Sequence, residues 1–364
     1  MVKNLFEIIL IIFPFGQLFR WGIFNLFDGL VLGLAIFTFL KTKKYPDWYK
    51  YFLYFMVSCV FGLFLNYSFL TLNSILYLVR FWSYSMIAIY LNGIDSKKNK
   101  IYNKLLLVAV CSAFFGFAQY FLFPDLTFLK YFNWDDHLLR MTGTFLDPTF
   151  LGIILALGVN LALNNNKNII AYLLSFSIMF TYSRATFLVL FVVFIFDFFK
   201  NKNSFKFLIL NSIFLILFLI PKNIGEGTNL FRTASAEYKV INFQQSIQLI
   251  KTNPLFGFGF NNICKAKQRI LTTFVDPNSH SCSGLDSSIL FLIATTGMVG
   301  LILLTSSIQR IAYSYQNSKD YELLTSSFVI VLVHSIFTNT LFYPHVMFWL
   351  FSLVGSLKTK IDSN

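Results

Sequence analysis

Six charged or titratable residues are the chain's best candidates for chemistry. They comprise four cations and two candidate bases: Arg140, Arg184, Arg232, Lys239, His280 and Asp286. An arginine offers a planar fork that matches phosphate oxygens, and a lysine offers a point charge. Fixed cations stabilise the charge that develops on a diphosphate leaving group, and a histidine or carboxylate accepts the proton of an attacking hydroxyl. These residue types predict transfer of a group from a diphosphate to a hydroxyl.

Four of the six residues lie in one polar segment, residues 221–286. The chain as a whole is 56% hydrophobic and only 12% charged, and its mean hydropathy is +0.66. A soluble domain carries about 25% charged residues. A soluble core of this length could not bury so much apolar surface, so the composition predicts a membrane protein whose apolar helices carry the polar segment.

The apolar runs predict an all-α, polytopic bundle of about twelve transmembrane helices. Several runs are shorter than the roughly 20 residues that usually cross a bilayer. The predicted spans are 5–19, 23–40, 51–65, 74–91, 105–123, 150–163, 169–183, 185–199, 207–220, 287–308, 323–338 and 341–357. The first span contains Glu7 and lacks a small-residue cleavage site, which favours a retained helix over a signal peptide.

The short loops predict how this bundle is oriented. Lys or Arg occurs in 41–50, 92–104, 164–168, 200–206, 309–322 and the tail 358–364, whereas 66–73 has neither. Because cytoplasmic loops are enriched in these cations, both termini are predicted on the cytoplasmic side of the membrane. The net charge of +13 is then explained by topology, and no nucleic-acid partner is predicted. The segment 221–286 becomes a large loop on the opposite side, between spans nine and ten, and 124–149 becomes a second loop on that side.

Two arginines near or within spans need separate explanations. Arg184 lies where two apolar runs meet on the predicted outer face, so it either extends to the interface or contacts the charged loop. Arg80 lies within the fourth predicted span and requires a partner. Asp28, in the second span, is the natural candidate, and a structural ion pair is favoured over catalysis.

The large loop has local patterns of its own. Apolar residues at 240, 243, 247 and 250 recur at helical spacing and predict an amphipathic helix, on the bilayer surface or packed on the bundle, that ends near Pro254. Cys264 and Cys282 can pair if the outer face is oxidising. Tyr238 and Phe260 are candidates for stacking on sugars, although aromatic residues more often serve packing.

Four segments, in order, resemble the O-antigen polymerase and ligase superfamily of bacterial inner-membrane glycosyltransferases. The first two contain a Gly-Thr-Phe stretch and a Ser-Arg pair, in RMTGTFLDPTFLG and TYSRATFLVLF. The other two contain Asn-Pro-Leu-x-Gly-x-Gly and a Gly-x-x-Gly pair, in KVINFQQSIQLIKTNPLFGFGFN and NSHSCSGLDSSILFLIATTGMVGL. The resemblance covers about residues 140–310.

The resemblance implies a GT-C-like bundle that joins glycans carried on undecaprenyl diphosphate, in contact with membrane lipid at the periplasmic face. It implies no metal and no cofactor. Arg184 takes the Ser-Arg position, and Arg140 becomes a further phosphate or sugar contact. A chain-length regulator and a flippase are left open as partners.

Two departures from the family pattern leave alternatives open. Where the family commonly has an arginine at the head of the loop helix, this chain has Lys239, and Arg232 lies seven residues earlier. Either can contact the diphosphate. A family histidine usually lies about eleven residues before the Gly-x-x-Gly pair, which is the position of Asp286, whereas His280 lies six residues earlier. Either is the candidate catalytic base.

The preferred interpretation is an O-antigen polymerase that uses a polyprenyl-diphosphate-linked donor and inverts the anomeric centre. A ligase that transfers glycan to lipid A core shares the same donor chemistry. A transporter or flippase commonly has twelve spans, but such proteins usually contain internal repeats and midplane charges. A membrane sensor or scaffold would leave Arg184 unexplained.

Overall fold

The computed structural model describes residues 2–22, 24–94, 98–132, 134–201, 226–230, 233–271, 282, 284–318 and 320–357. Over these ranges the chain is predominantly helical, with one antiparallel pair of two-residue strands, β1 (Arg20–Trp21) and β2 (Phe24–Asn25). The first eight helices are α1 (Val2–Ile12), α2 (Leu26–Lys41), α3 (Asp47–Leu65), α4 (Leu72–Asn92), α5 (Lys98–Leu122), α6 (Pro148–Asn164), α7 (Asn168–Met179) and α8 (Arg184–Asn201). The later ones are α9 (Ala234–Thr252), α10 (Ile263–Ile270), α11 (Ser288–Tyr315), α12 (Tyr321–His334) and α13 (Pro344–Ser356).

Several of these helices have the length and composition of membrane spans. Four, namely α3, α4, most of α5, and α11, are long and apolar enough to cross a bilayer. Five shorter apolar helices accompany them: Asn4–Phe15, Pro148–Asn164, Asn168–Met179, Tyr321–His334 and Pro344–Ser356. The chain is therefore an all-α, multi-pass membrane protein. The count of twelve spans stays a prediction, and the predicted ninth span, 207–220, lies outside the described residues.

The centre of the bundle is α6. Its side chains are buried from Leu151 to Leu163, as expected for a helix that is apolar on every side. It packs against α5, α7 and α8. On the other side of the bundle, α4 contacts both α2 and α13, and α3 packs along α11. This frame holds the start of α8 and the start of α11, where two of the candidate site residues lie.

The first two predicted spans differ from the observed helices at their facing ends. The predicted span 5–19 ends as a helix at Ile12 and continues as a short 3-10 turn, Phe13–Phe15, because Pro14 has no backbone N–H to continue the ladder. The span predicted from residue 23 begins at Leu26 instead. Asn25 caps that helix, since its side chain accepts a hydrogen bond from the N–H of Phe27 at 2.9 Å.

The predicted pairing of the intramembrane arginine is confirmed. Arg80 Nη2 lies 2.6 Å from Asp28 Oδ2, and the hydroxyl of Tyr84 donates to the other carboxylate oxygen at 2.8 Å. Both oxygens of Asp28 are therefore used. Because a charge inside a bilayer is stable only with such partners, this pair joins α2 to α4 and has a structural explanation.

One long helix is interrupted where the large loop returns to the bundle. At Gly297, α11 leaves helical geometry, with φ 66° and ψ −170°. The segment 254–259 occupies the break and replaces two helical hydrogen bonds with four bonds of its own. The N–H groups of Phe258 and Gly259 donate to the carbonyls of Ala294 and Thr295, and those of Met298 and Val299 donate to Pro254 and Leu255, at 2.9–3.2 Å.

This junction explains why glycine occupies the two central positions. A Cβ on Gly297 would lie 2.0 Å from the carbonyl oxygen of Leu255, and one on Gly257 would lie 2.5 Å from the backbone of Thr295. Both residues also have positive φ, which L side chains rarely adopt. Two of the sequence motifs therefore form one structure. The Asn-Pro-Leu-x-Gly-x-Gly stretch fits into the helix break made at the Gly-x-x-Gly pair.

Candidate active site

The loop helix α9 packs on the bundle through its more polar face. The inward positions include Asn242, Ser246 and Leu249, which are buried, and Lys239, which is half-buried. Val240 and Ile247 are 56% and 46% exposed. The predicted helix is therefore present, but the stripe that defined its apolar face does not form its buried side. Of the two locations predicted for the helix, packing on the bundle is observed. The exposed residues of its apolar stripe are suited to contact with lipid.

A cleft of about 360 Å³ lies between α9 and the beginning of α8. Two of its lining side chains are cationic and the others are small or apolar: Arg184, Lys239, Ala185, Leu188, Ala236, Val240, Phe243 and Phe337. The cleft therefore combines positive charge with an apolar wall. Such a lining suits a ligand that has an anionic group attached to a hydrocarbon chain.

Arg184 is the first residue of α8 and is half-buried in the cleft. Its Nη2 atom donates a hydrogen bond to the hydroxyl of Ser235 at 2.7 Å, which orients the guanidinium toward α9. The amino terminus of a helix carries partial positive charge and N–H groups without helical partners. Arg184 thus adds a full charge at a place where the backbone already favours an anion.

Lys239 approaches the same cleft from α9. Its ammonium donates to the carbonyl oxygen of Phe337 at 2.5 Å, in the loop that follows α12. Phe337 also lines the cleft. The hydrogen bond therefore holds the Lys239 side chain against the wall of the cleft. Two cations that the sequence separates by more than fifty residues therefore meet at one cavity.

Asp286 lies two residues before α11 and interacts electrostatically with Lys239. Its backbone N–H donates to the side-chain oxygen of Asn242 at 3.0 Å, which attaches the segment to α9. Burial raises the pKa of the Asp286 carboxyl, and the charges of Lys239 and Lys267 oppose that rise. A raised pKa makes this carboxylate a better proton acceptor than an exposed aspartate.

Lys267, on α10, was not singled out from the sequence. Its side chain is completely buried and donates to the carbonyl oxygen of Gly284 at 3.1 Å. Burial lowers the pKa of its ammonium to about 8, and Asp286 opposes that change. A lysine in a polar loop is expected at the surface, so composition gave no sign of it.

The two loop cysteines are joined. Cys264, on α10, and Cys282 form a disulfide with their Cα atoms 4.5 Å apart. The sequence had left this pairing open. The bond holds residue 282 on the same helix as Lys267, and therefore close to the segment that leads to Asp286.

Comparison with known families fits this arrangement. Residues 169–305 match a family model described as O-antigen ligase, and the match spans α7 to most of α11, including Arg184, Lys239 and Asp286. The expected superfamily of O-antigen polymerases and ligases is confirmed. A comparison with curated proteins gives no match. Within this multi-pass membrane protein, residues 169–305 are thus similar to the O-antigen ligase family.

Arg140 has a different environment from the two cleft cations. The residue is 9% exposed, and its guanidinium donates to the carbonyls of Thr181 and Tyr182 at 3.1 and 3.4 Å. Its side chain also lies against Gly227. Arg140 therefore supports the turn immediately before Arg184. Its predicted role as a phosphate or sugar contact stays a prediction.

Two predicted site residues, Arg232 and His280, lie outside the described residues. Lys239 is in the cleft, but the alternative that Arg232 contacts the diphosphate stays open. Asp286 interacts electrostatically with Lys239, and the alternative that His280 is the base likewise stays open. Of the two aromatic candidates for sugar stacking, Tyr238 is 74% exposed, whereas Phe260 is 1% exposed among other phenylalanine rings. Phe260 therefore serves packing.

The sequence analysis did not single out His334, which lies near the cleft. His334 ends α12 and is fully buried, with its Nδ1 atom 2.6 Å from the hydroxyl of Thr340 and its Nε2 atom 3.5 Å from that of Thr186. Lys239 is near enough to interact with it electrostatically. These contacts link α8 to the loop that contains Phe337. A histidine at the end of an apolar helix was the available signal.

Proposed function

We propose that the protein is an O-antigen polymerase that joins undecaprenyl-diphosphate-linked repeat units at the periplasmic face of the bacterial inner membrane. The observation that carries this proposal is the convergence of Arg184 and Lys239 in one apolar-walled cleft. The two cations suit the diphosphate of the donor lipid. Leu188, Val240 and Phe243 suit its prenyl chain, because an isoprenoid gains free energy from apolar contacts.

In the proposed reaction, a hydroxyl oxygen of the acceptor sugar attacks the anomeric carbon of the donor glycan. The new glycosidic bond forms as the bond between that carbon and the diphosphate oxygen breaks, and undecaprenyl diphosphate leaves with the electron pair. Direct displacement inverts the anomeric centre. Arg184 and Lys239 stabilise the charge that grows on the leaving oxygen, without a metal ion. Arg232 is the alternative second cation, and Arg140 a further contact.

The hydroxyl proton passes to Asp286 in this proposal. The carboxyl group is supported as the base by its position beside Lys239 and by the rise that burial causes in its pKa. His280 is the competing base. Comparing Asp286→Asn with His280→Gln decides between them, because only loss of the true base removes the proton acceptor while leaving donor binding in place.

The disulfide supports the proposed orientation. Cys264 and Cys282 are paired in the segment 221–286, and disulfides persist in oxidising compartments such as the periplasm. This agrees with cytoplasmic termini, with 221–286 as the large periplasmic loop and with 124–149 as the second one. Labelling cysteines newly placed in residues 66–73 and 164–168 with a membrane-impermeant reagent tests the orientation. Only the first set should react in intact cells.

A glycan-display assay tests the function. Cells that depend on this protein should make long surface glycans, and cells carrying Arg184→Ala should display a single repeat unit on the lipid A core. Membrane levels of each variant are measured in parallel. If Arg184→Ala, His280→Ala and Asp286→Ala proteins reach the membrane and all polymerise normally, the proposed site is wrong.

A ligase is the second candidate, favoured by the description of the matching family model as O-antigen ligase. A ligase would transfer finished glycan to lipid A core with the same donor contacts. Its loss would remove all glycan from the core, whereas loss of a polymerase would leave one repeat attached. Lipid flipping by the purified protein, without any elongation, would instead support a transporter.

A further inference from the structure

Lys267 has the least expected environment of the lysines in the described part of the loop. Its side chain is completely buried on the short helix α10, although lysine is almost never fully buried unless paired. Its ammonium donates to the carbonyl of Gly284, two residues before Asp286. The sequence analysis and the proposed reaction give it no role, so its burial requires an explanation.

The segment that leads to Asp286 is fixed to two helices. The disulfide joins Cys282 to α10, and the ammonium of Lys267 holds Gly284 to the same helix. Asn242, on α9, then accepts the N–H of Asp286. The attachments fall on alternate residues, 282, 284 and 286. Such spacing fixes the path of the backbone and therefore the position of the carboxylate.

We propose that Lys267, with the Cys264–Cys282 disulfide, is a positioning unit that holds Asp286 beside Lys239 for the acceptor half of the reaction. The inference rests on the proposed function, in which Asp286 takes the proton of the acceptor hydroxyl. Lys267 itself does not touch substrate. It acts through Asp286, by fixing the backbone at Gly284 and by adding a positive charge near the carboxylate.

The charges around Asp286 come from two helices and define the expected effects. Lys239 of α9 and Lys267 of α10 both favour the ionised carboxylate, whereas burial, the largest influence, favours the protonated form. Removal of the Lys267 charge should therefore raise the pKa of Asp286. Release of the segment into water should lower that pKa, because the effect of burial is the larger one.

Infrared titration of the purified full-length protein measures these changes without substrate. The signal is the protonated-carboxyl band that disappears in Asp286→Asn. In Lys267→Met the disulfide and Asn242 still hold the segment, so only the positive charge is lost and the midpoint of this band should move up by about one pH unit. Lys267→Arg should stay close to the wild-type midpoint. Lys265→Met is the matched control, since Lys265 lies on the same helix but donates to Leu70 instead.

Removal of the disulfide should shift the midpoint of the carboxyl band in the opposite direction. The double variant Cys264→Ser with Cys282→Ser keeps Lys267 but releases residue 282, so the midpoint should move down. This variant also serves if Lys267→Met does not fold. In turnover assays with lipid-linked repeat units extracted from membranes, Lys267→Met should lower kcat about tenfold and leave KM for the donor unchanged, because it does not alter the cleft.

An unmoved midpoint in both variants would overturn the inference, as would a shift in the same direction in both. A fall in kcat that is equal at every pH would point to a general structural role and would also overturn it. Failure of the proposed function is separate. If cells that lack the protein still display long glycans, the function is wrong, whereas the infrared titration still decides whether Lys267 positions Asp286.

Discussion

Two groups of charged residues occupy very different surroundings in this protein. Arg80 is paired with a carboxylate, and Tyr84 satisfies the second oxygen of that carboxylate. In the cleft, Arg184 donates to a serine hydroxyl and Lys239 to a backbone carbonyl. The first pair of charges joins two helices of the bundle. The two cations of the second group line a cavity whose remaining wall is apolar.

The difference separates charges that hold the bundle from charges that bind a ligand. In an ion pair within a bundle, each charge compensates the other. Removing one partner is costly because the other ion is then left in the bundle without its counter-charge. Cations that line a cavity retain an electrostatic field that an anionic ligand can use. Substitutions in the two groups should therefore affect different measurements, stability in the first case and turnover in the second.

The largest effect is expected at the Arg80–Asp28 pair. Arg80→Met should destabilise the protein by about 3–5 kcal/mol, because the half-buried Asp28 would lose its cation. Thermal unfolding in detergent measures the loss. Arg310→Met is the control, since Arg310 is exposed and lies over the ring of Tyr51. A variant that also carries Asp28→Leu should recover part of the loss, and an unstable double variant would contradict the pairing argument.

Arg184→Ala should lower turnover and leave stability almost unchanged, which is the reverse of Arg80→Met. Loss of a cation that stabilises the leaving group should lower kcat/KM by about 100- to 1,000-fold, which corresponds to about 3–4 kcal/mol, with little change in unfolding temperature. Turnover of lipid-linked repeat units checks this result. Arg269→Ala serves as control, because Arg269 is an exposed cation of the same loop. Equal losses in both variants would argue for a diffuse field instead of a specific contact.

The junction at Gly297 lies between the bundle and the large loop. A substitution there should therefore affect stability first. Gly297→Ala should destabilise the protein by about 1–3 kcal/mol, since the new Cβ would meet the carbonyl of Leu255 and φ is positive. Unfolding in detergent measures the change. Gly29→Ala should be neutral or slightly stabilising, because no atom lies within 4 Å of the position that its new Cβ would occupy. Similar effects in both would contradict the proposed crowding.

The sequence predicted the parts of this arrangement that depend on composition and local periodicity. Apolar runs predicted the helices, and the cost of a charge in lipid predicted that Arg80 and Asp28 would pair. Helical spacing also predicted α9. It did not predict which side of α9 is buried, because partners from α11 and from the segment at Asp286 decide that, and those partners are distant in the chain.

The site was predicted in outline. Arg184, Lys239 and Asp286 were all candidates, but their arrangement around one cleft depends on long-range packing. Lys267 was missed because a buried lysine has no local signal. The contact between 254–259 and Gly297 was also missed, although both motifs had been identified. It consists of backbone hydrogen bonds, which are available to any sequence and therefore leave no side-chain pattern.

The smallest expected effect is a shift in the acidic limb of the pH profile, which Asp286 should determine. Because burial raises the pKa of Asp286, the carboxylate should lose its role as base at a higher pH than an ordinary aspartate would. Activity should therefore fall on the acidic side over about one pH unit centred above the usual aspartate range. Asp286→Glu should retain such a limb, whereas Asp286→Asn should lose activity at every pH. If Asp286→Asn keeps the wild-type limb and His280→Gln removes it, the histidine is the base. In that case the charges of Lys239, Lys267 and Asp286 would stabilise the fold, as the Arg80–Asp28 pair does, and would not take part in proton transfer.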